Sequence, residues 1–403
     1  MTAHLLAPRH EITLFEKTGR LGGNAYTHTT RDGYEVDIAV AAFGRAGYTK
    51  FYRLLDELGV ETSRSPGAFI SLRNLDTGKG LYITPWSLEG LVAQRFDLLR
   101  PRHTAALVGL YVGLRKLRSM FEAGELEGLT LAEAMRLAPT VRGDGRRLLL
   151  ASLCLMSSMS GAEVLAGPAQ FFAGKLHTHH DVLSPRAPYS VRCMAHHTKS
   201  YVDALARGFR DRVVLRADLS RVLRDEQGVT LVSGSGEQRR FDQVVFACNA
   251  DQALALLEAP TPDERALLGA WRYRPGRVVL HRDHSSFPPR ALTQAYTFLY
   301  RERDGGFDTS VSGALWRLPG VAADCPYLSS QHPNFPIDDA LVELETTLRT
   351  PIFDFEAVAT QKRLPELNGK MRSYFCGSHF GYGLHEDALK SAVEVARMLG
   401  VVW

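Results

Sequence analysis

The chain has 403 residues, too many for one ordinary hydrophobic core, so two domains are expected. Hydrophobic content of 45%, charged content of 23% and a net charge of +4 describe an ordinary globular protein and give no argument for nucleic acid as a partner. With no apolar run of membrane-spanning length, no signal-type leader, and five scattered cysteines without a C-x-x-C pair, a reducing, cytoplasmic setting is the expectation.

Residues 2 to 7, "TAHLLA", read as the end of a helix that Pro8 stops. The strand "EITLFE" follows at once, with its core at Ile12 to Phe15, and residues 34 to 38 read as another short strand. Apolar residues at 51, 54, 55 and 58 make 48 to 60 helical, with Gly59 as its stop. Residues 84 to 160 read mostly as helices. "SLEGLVAQRFDLL" and "HTAALVGLYVGLRKLRSMF" are separated by Pro101, and Thr130 with Glu133 resembles a capping box. From about 199 a helix "KSYVDALARGF" leads into strands "RVVLRAD", "LSRVLRD", "GVTLVSG" and "QRRFDQVVFAC", with turns at Gln227-Gly228 and Ser233-Gly234. Residues 277 to 283 and 295 to 301 read as strands, and "DDALVELETTLR" as a helix. The chain closes on strand "SYFCGS", a glycine-rich turn and helix "EDALKSAVEVARML". It therefore opens and ends in α/β units, which predicts a nucleotide domain built from separate segments, with a second domain inserted between them.

Glu16 ends the first strand, where a dinucleotide-binding unit places the acid that holds a ribose hydroxyl pair. Alone it reads equally as a polar strand end. "GRLGG" (19 to 23) follows within three positions: glycines let a backbone approach a ligand closely, and an arginine fork reaches a pyrophosphate. Together, "TLFEKTGRLGG" and "YFCGSHFGYGLHEDALKSAVEVARML" resemble the FAD-binding superfamily of amine oxidases, phytoene desaturases and protoporphyrinogen oxidases. "GYGLHEDALKS", "VAQRFDLLRPR", "KSYVDAL" and "RVVLHRDHSSFPPR" resemble, more narrowly, bacterial FAD-binding oxidoreductases encoded beside cyclopropane-fatty-acid synthases.

The resemblance implies an α/β fold: a Rossmann-like FAD/NAD(P)-binding domain, its first strand absent, interleaved with a mixed sheet-plus-helix substrate domain. The expected division is 1–60, 200–260 and 365–403 for FAD, and 61–199 with 261–364 for substrate. It implies that Glu16 binds the adenosine ribose, and that Arg20, Gly22 and Gly23 line the pyrophosphate and flavin edge. Leu219 would touch adenine through its backbone and Ala247 would end the strand flanking adenosine. Gly377, Ser378, Glu386, Asp387 and Ala388 would form a second flavin-contact segment, where a helix N-terminus offers free N–H groups.

The sequence departs from that pattern in four places. Counting back about 20 residues from Glu16, where the phosphate-binding glycines belong, lands before Met1. Two explanations stand: a true start further upstream, favoured by the opening inside a helix, or a real truncation with weak or no FAD. Ala39 replaces a glycine usual near the ring, "CMAHHTK" replaces a Gly-Gly before the "YV" helix, and Ser391-Ala392 replaces Ser-Gly.

The groups His177, His179, His180 and His196, His197 lack a familiar metal spacing, and no metal is expected. Arg95, Arg100, Arg102, Arg115, Lys116 and Arg118 crowd residues 95 to 118 against one acid, Asp97. A basic helix with an apolar face can rest on an anionic membrane surface; a solvated helix face is the competing reading. No nucleophile elbow, Walker lysine loop or carboxylate pair is present, and no catalytic base is assigned. The expected activity is FAD-dependent hydride removal from a largely apolar, lipid-like or amine small molecule. The competing expectation is a non-catalytic or FAD-deficient flavin-fold protein that binds lipid or a partner enzyme.

Overall fold

A computed structural model describes residues 1–39, 42–64, 70–78, 80–83, 101–137, 143–180, 191–303 and 306–403. The opening helix is Thr2–Leu6 and the first strand is Leu14–Glu16, shorter and later than the sequence pattern suggests. That strand pairs in parallel with Val213–Leu215, and Val244–Phe246 pairs in parallel with Ser373–Phe375. A three-stranded antiparallel meander, Leu219–Arg224, Val229–Ser233 and Gln238–Phe241, sits beside them. Arg224 ties the meander to Glu264 at 2.9 Å in a pair that is almost fully buried.

A second sheet has seven strands, in the order Val342–Pro351, Tyr273–His281, Leu328–Gln331, Gly306–Ala314, Tyr296–Arg303, Ile70–Asn74 and Gly80–Ile83. A helical layer packs against it: Pro101–Glu122, Leu131–Leu137, Gly143–Ser157, Gly161–Ala166 and Ala169–Thr178. The main core joins Leu148, Leu149 and Phe172 of these helices to Phe298 of the sheet and to Trp271 and Phe353. A second core sits under the closing helix His385–Met398, where Phe51, Leu54 and Leu55 of Thr49–Leu58 meet Tyr201, Leu389 and Ala396. Each of those large side chains contributes roughly 1.5–3 kcal/mol by leaving water.

Several sequence expectations change. Residues 338–349 are not a helix: a 3-10 turn at Asp339–Leu341 leads into strand Val342–Pro351. Leu341, Leu344 and Leu348 sit at helical spacing, but nine residues of strand Val342–Pro351 pair with Tyr273–His281, and the ladder outweighs the local pattern. "QRRFDQVVFAC" is two strands, not one. It leaves the meander at Phe241 and enters a parallel pair at Val244, where Val244 N–H meets Arg372 O at 3.0 Å. Pro101 is the first residue of a helix, where its missing N–H is harmless, and the segment 87–99 lies outside the described residues. The Thr130–Glu133 box forms: the Glu133 carboxylate accepts from both the amide and the hydroxyl of Thr130, at 2.9 and 2.7 Å.

Candidate flavin site

Parallel strands bring their carboxyl ends to one edge, and in open α/β sheets that edge is where ligands sit. Here it gathers the ends of both parallel pairs. A Cβ placed on Gly377 would lie 4.0 Å from Cys248 O, and Lys17 is close enough to Cys248 to lower its thiol pKa, although burial pushes that thiol up to about 12. A Cβ at Gly19 would meet the Arg216 guanidinium at 3.3 Å. Glu16, Gly377 and the ends of strands Val213–Leu215 and Val244–Phe246 thus share this edge. Ala247 is exposed on it. Leu219 lies two residues past Ala217, whose N–H reaches Glu16 O at 2.9 Å.

The first segment is held locally. One Glu16 oxygen accepts the Thr18 N–H at 2.7 Å, and the other has no partner among the described residues. The turn closes with Ala25 N–H on Gly22 O at 3.0 Å. Gly22 has φ +107, and a Cβ there would lie 2.5 Å from Ala25 O, so only glycine makes this turn. Arg20 lies with its guanidinium 3.6 Å from the centre of the Tyr26 ring and reaches Ala25 O at 3.4 Å. Partial burial lowers its pKa, and Glu16 and Tyr26 oppose that.

The second segment is held from many directions. Gly377 N–H donates to Ser391 Oγ at 3.0 Å, so the serine of the Ser391-Ala392 pair secures the strand end. The 3-10 turn Ser378–Phe380 follows. Gln361 Nε2 donates to His379 O and Gly381 O at 3.0 and 2.6 Å. Glu386 and Asp387 turn their carboxylates inward. Glu386 accepts from Phe51 N–H at 2.8 Å and Lys50 N–H at 3.2 Å, capping helix Thr49–Leu58 from 335 residues away. Asp387 accepts Leu384 N–H at 3.0 Å, and burial raises its pKa. Asp387 and Ala388 N–H both return to Leu384 O at 3.1 Å. The donors left in the first helical turn are the N–H groups of His385 and Glu386.

Two buried charged groups were not singled out by the sequence. Lys175 is fully buried on helix Ala169–Thr178. Its Nζ donates to Tyr382 O at 2.8 Å and Ser157 Oγ at 3.2 Å. Burial pushes its pKa down to about 7, against the pull of Asp387. A lysine inside "QFFAGKLH" was the available signal. Asp37 accepts from Thr27 Oγ1 and Thr198 Oγ1, both at 2.6 Å, and from Thr198 N–H, tying a hairpin to the start of helix His197–Ala206. Burial raises its pKa, and these hydrogen bonds oppose the rise. Ala39, where a glycine was expected, has its carbonyl held by Gln331 Nε2 at 3.3 Å.

The surroundings of the second segment are largely aromatic, with Lys175 the buried cation among them. Phe43, Phe51 and Tyr201 surround His385, and Phe171 stacks on Phe353 at 4.5 Å beside Tyr382. Burial pushes His379 and His385 down to about 4. The other histidines are engaged separately: His179 Nδ1 contacts Ala46 O and His180 Nδ1 contacts His177 O, each at 3.2 Å. Among the described residues no three potential metal ligands gather. A cavity of about 320 Å³ at the end of the large sheet is lined by Arg274 and Arg277, but these already pair with Glu163 and Glu345.

Such an edge, with an acid, glycine turns that a Cβ would fill and a helix N-terminus, defines a dinucleotide-binding α/β protein. The chain belongs to the flavin-containing amine oxidoreductase family, whose model matches residues 1–329. It is an FAD-dependent oxidoreductase of that family. A comparison with curated protein sequences gives no match. Among solved structures it is similar to a CLA-producing fatty acid isomerase from P. acnes, with 14% identity, TM-score 0.68, and 98% and 95% of the two chains covered. A cyclohexylamine oxidase from Brevibacterium oxydans gives 16% identity, TM-score 0.65, and 99% and 96% covered. A putrescine oxidase bound to putrescine gives 13% identity, TM-score 0.60, and 99% and 95% covered. These likenesses bear on the fold.

Proposed function

We propose that the FAD-dependent reaction removes a hydride from a C–H bond of a largely apolar small molecule, lipid-like or an amine, in the amine the C–H next to nitrogen. What supports this reading is the family match together with the aromatic packing around residues 377–388, where Phe171 lies on Phe353 beside Tyr382 and Phe43, Phe51 and Tyr201 surround His385. The fatty acid isomerase and the amine oxidases named above handle apolar chains or amines, which agrees with this reading.

In this reading Glu16 offers its open carboxylate oxygen to the adenosine ribose, while Arg20, Gly22 and Gly23 lie along the pyrophosphate. Leu219 presents backbone to adenine and Ala247 flanks the adenosine. Gly377 and Ser378 approach the pyrophosphate, and the first turn of the closing helix, at Glu386, Asp387 and Ala388, faces the flavin ring, with Glu386 N–H the open donor of the three because Asp387 and Ala388 N–H are held by Leu384 O. FAD, when bound, supplies the hydride acceptor; the chain supplies orientation and electrostatics. Residues 1–60, 200–260 and 365–403 would form the FAD domain and the remainder the substrate domain.

Anaerobic mixing of the flavin-loaded protein with fatty acids, phospholipids and alkyl amines, read by loss of the oxidised flavin absorbance, tests the proposal. Bleaching by an apolar member of the set is expected. Bleaching only by hydrophilic, multiply charged substrates, or none by any apolar candidate, overturns it.

A further inference from the structure

Helix Pro101–Glu122 carries an outer face that holds none of the candidate flavin-site residues. Val108 is 55% exposed, Tyr111 43% and Val112 42%, which puts three large apolar side chains in one five-residue window of a single helix. Among the described residues, the other exposed large apolar side chains are spread singly along the chain, the usual pattern for a surface. The same outer face continues into Arg115, Lys116 and Arg118, all exposed. From Arg102 to Phe121 the sequence holds four cations, Arg102, Arg115, Lys116 and Arg118, and no carboxylate. The first acid, Glu122, is taken by Arg118 at 2.8 Å and approached by His177 at 3.7 Å. Arg115 and Lys116 have no acidic partner among the described residues. The face is therefore apolar in its first half and cationic in its second.

We propose that this face docks the protein on an anionic bilayer surface, with Val108, Tyr111 and Val112 entering the headgroup–acyl boundary and Arg115 and Lys116 on lipid phosphates. The chemistry matches on both halves. A tyrosine suits the boundary because its ring is apolar and its hydroxyl is wet. Unpaired cations gain most beside an anionic leaflet. No described helix is long and apolar enough to cross a membrane, so the attachment lies on the surface. The inner side of the helix is committed to the fold. Leu110, Leu117 and Met120 are buried, and a Cβ at Gly145 of the neighbouring helix would lie 2.8 Å from Ala106 O. Phe121 packs at Gly174, next to Lys175, so the docking face backs onto the helix that holds the flavin segment. A lipid substrate would then meet the enzyme at its own surface; that consequence rests on the proposed function, whereas the docking does not.

Flotation of the full-length, flavin-loaded protein with phosphatidylcholine vesicles, with and without phosphatidylglycerol, tests the proposal without reading turnover. Binding to the phosphatidylglycerol vesicles is expected, lost at high salt. R115Q/K116Q should lower the partition roughly 25-fold, at about fivefold per cation. V108E/V112E should abolish it. All four positions are exposed, so flavin content and melting temperature should match the parent, and the salt dependence of the parent gives a second reading that needs no variant. No binding to either vesicle, equal binding to both, or binding that both variants leave intact overturns the proposal. An inactive enzyme that still floats leaves docking standing and removes only the substrate reading.

Discussion

The two glycine turns around Gly22 and around Gly383 read alike in sequence and are built on different terms. The Gly22 turn is closed by its own neighbours: Ala25, Thr18 and the stacked Arg20–Tyr26 pair all lie within a few residues. The 377–387 turn is closed by Gln361, Lys175, Ser391 and Asp387, and Glu386 beside it caps a helix near residue 50. A local turn can be altered with little consequence beyond its ligand. A turn wired across the molecule transmits any change into the fold. Errors in the first should appear in cofactor affinity, and errors in the second in stability.

Gly383→Ala gives the largest expected effect. Gly383 has φ +83, and a Cβ there would lie 2.6 Å from the Phe353 ring, so strain and overpacking combine to about 3–5 kcal/mol. Urea unfolding measures it; a midpoint equal to the parent would erase the contrast between the turns. Glu386→Ala follows, at about 3 kcal/mol, because the buried N–H groups of Lys50 and Phe51 lose their acceptor. Glu386→Gln, which keeps one acceptor oxygen, should recover part of that loss in the same melt.

Lys175 sharpens the contrast through pH. Its folded pKa of about 7 lies below the ordinary 10.5, so between these values the unfolded chain binds more protons. Stability should therefore rise with pH from about 7 toward 10.5, and Lys175→Met should flatten that rise. His379 and His385, held down to about 4 from 6.5, act at the other end. Stability should fall as pH drops from 6.5 toward 4, which a series of thermal melts checks. The smallest effect on the fold is Glu16→Ala. Melting should stay within about 0.5 kcal/mol of the parent. FAD binding, followed by fluorescence titration, should weaken by roughly tenfold, about 1.4 kcal/mol.

Local patterns were legible wherever a segment closes on itself. The Thr130–Glu133 box, the Thr49–Leu58 helix with its Gly59 stop, the meander strands and the closing helix all follow from spacing and turn chemistry. Residues 338–349 were misread because their leucines satisfy a helical spacing, while the partner strand that makes them extended lies about 70 residues earlier. The break at Asp242-Gln243 was invisible for the same reason: both halves favour strands, and only their partners differ.

The sequence alone determined the family, because a motif of an acid after a strand, glycines in a turn and acids at a helix start is a local signature of backbone geometry. Tertiary structure decided what the acids of that motif do. Glu386 and Asp387 could have faced a ligand or the protein. Burial settles the matter, since a carboxylate removed from water must find donors, and those donors come from Lys50 and Phe51 and from Leu384. The role of Lys175 was likewise decided in space, because Tyr382 O and Ser157 Oγ meet its ammonium only once helix Ala169–Thr178 has packed against the closing segment.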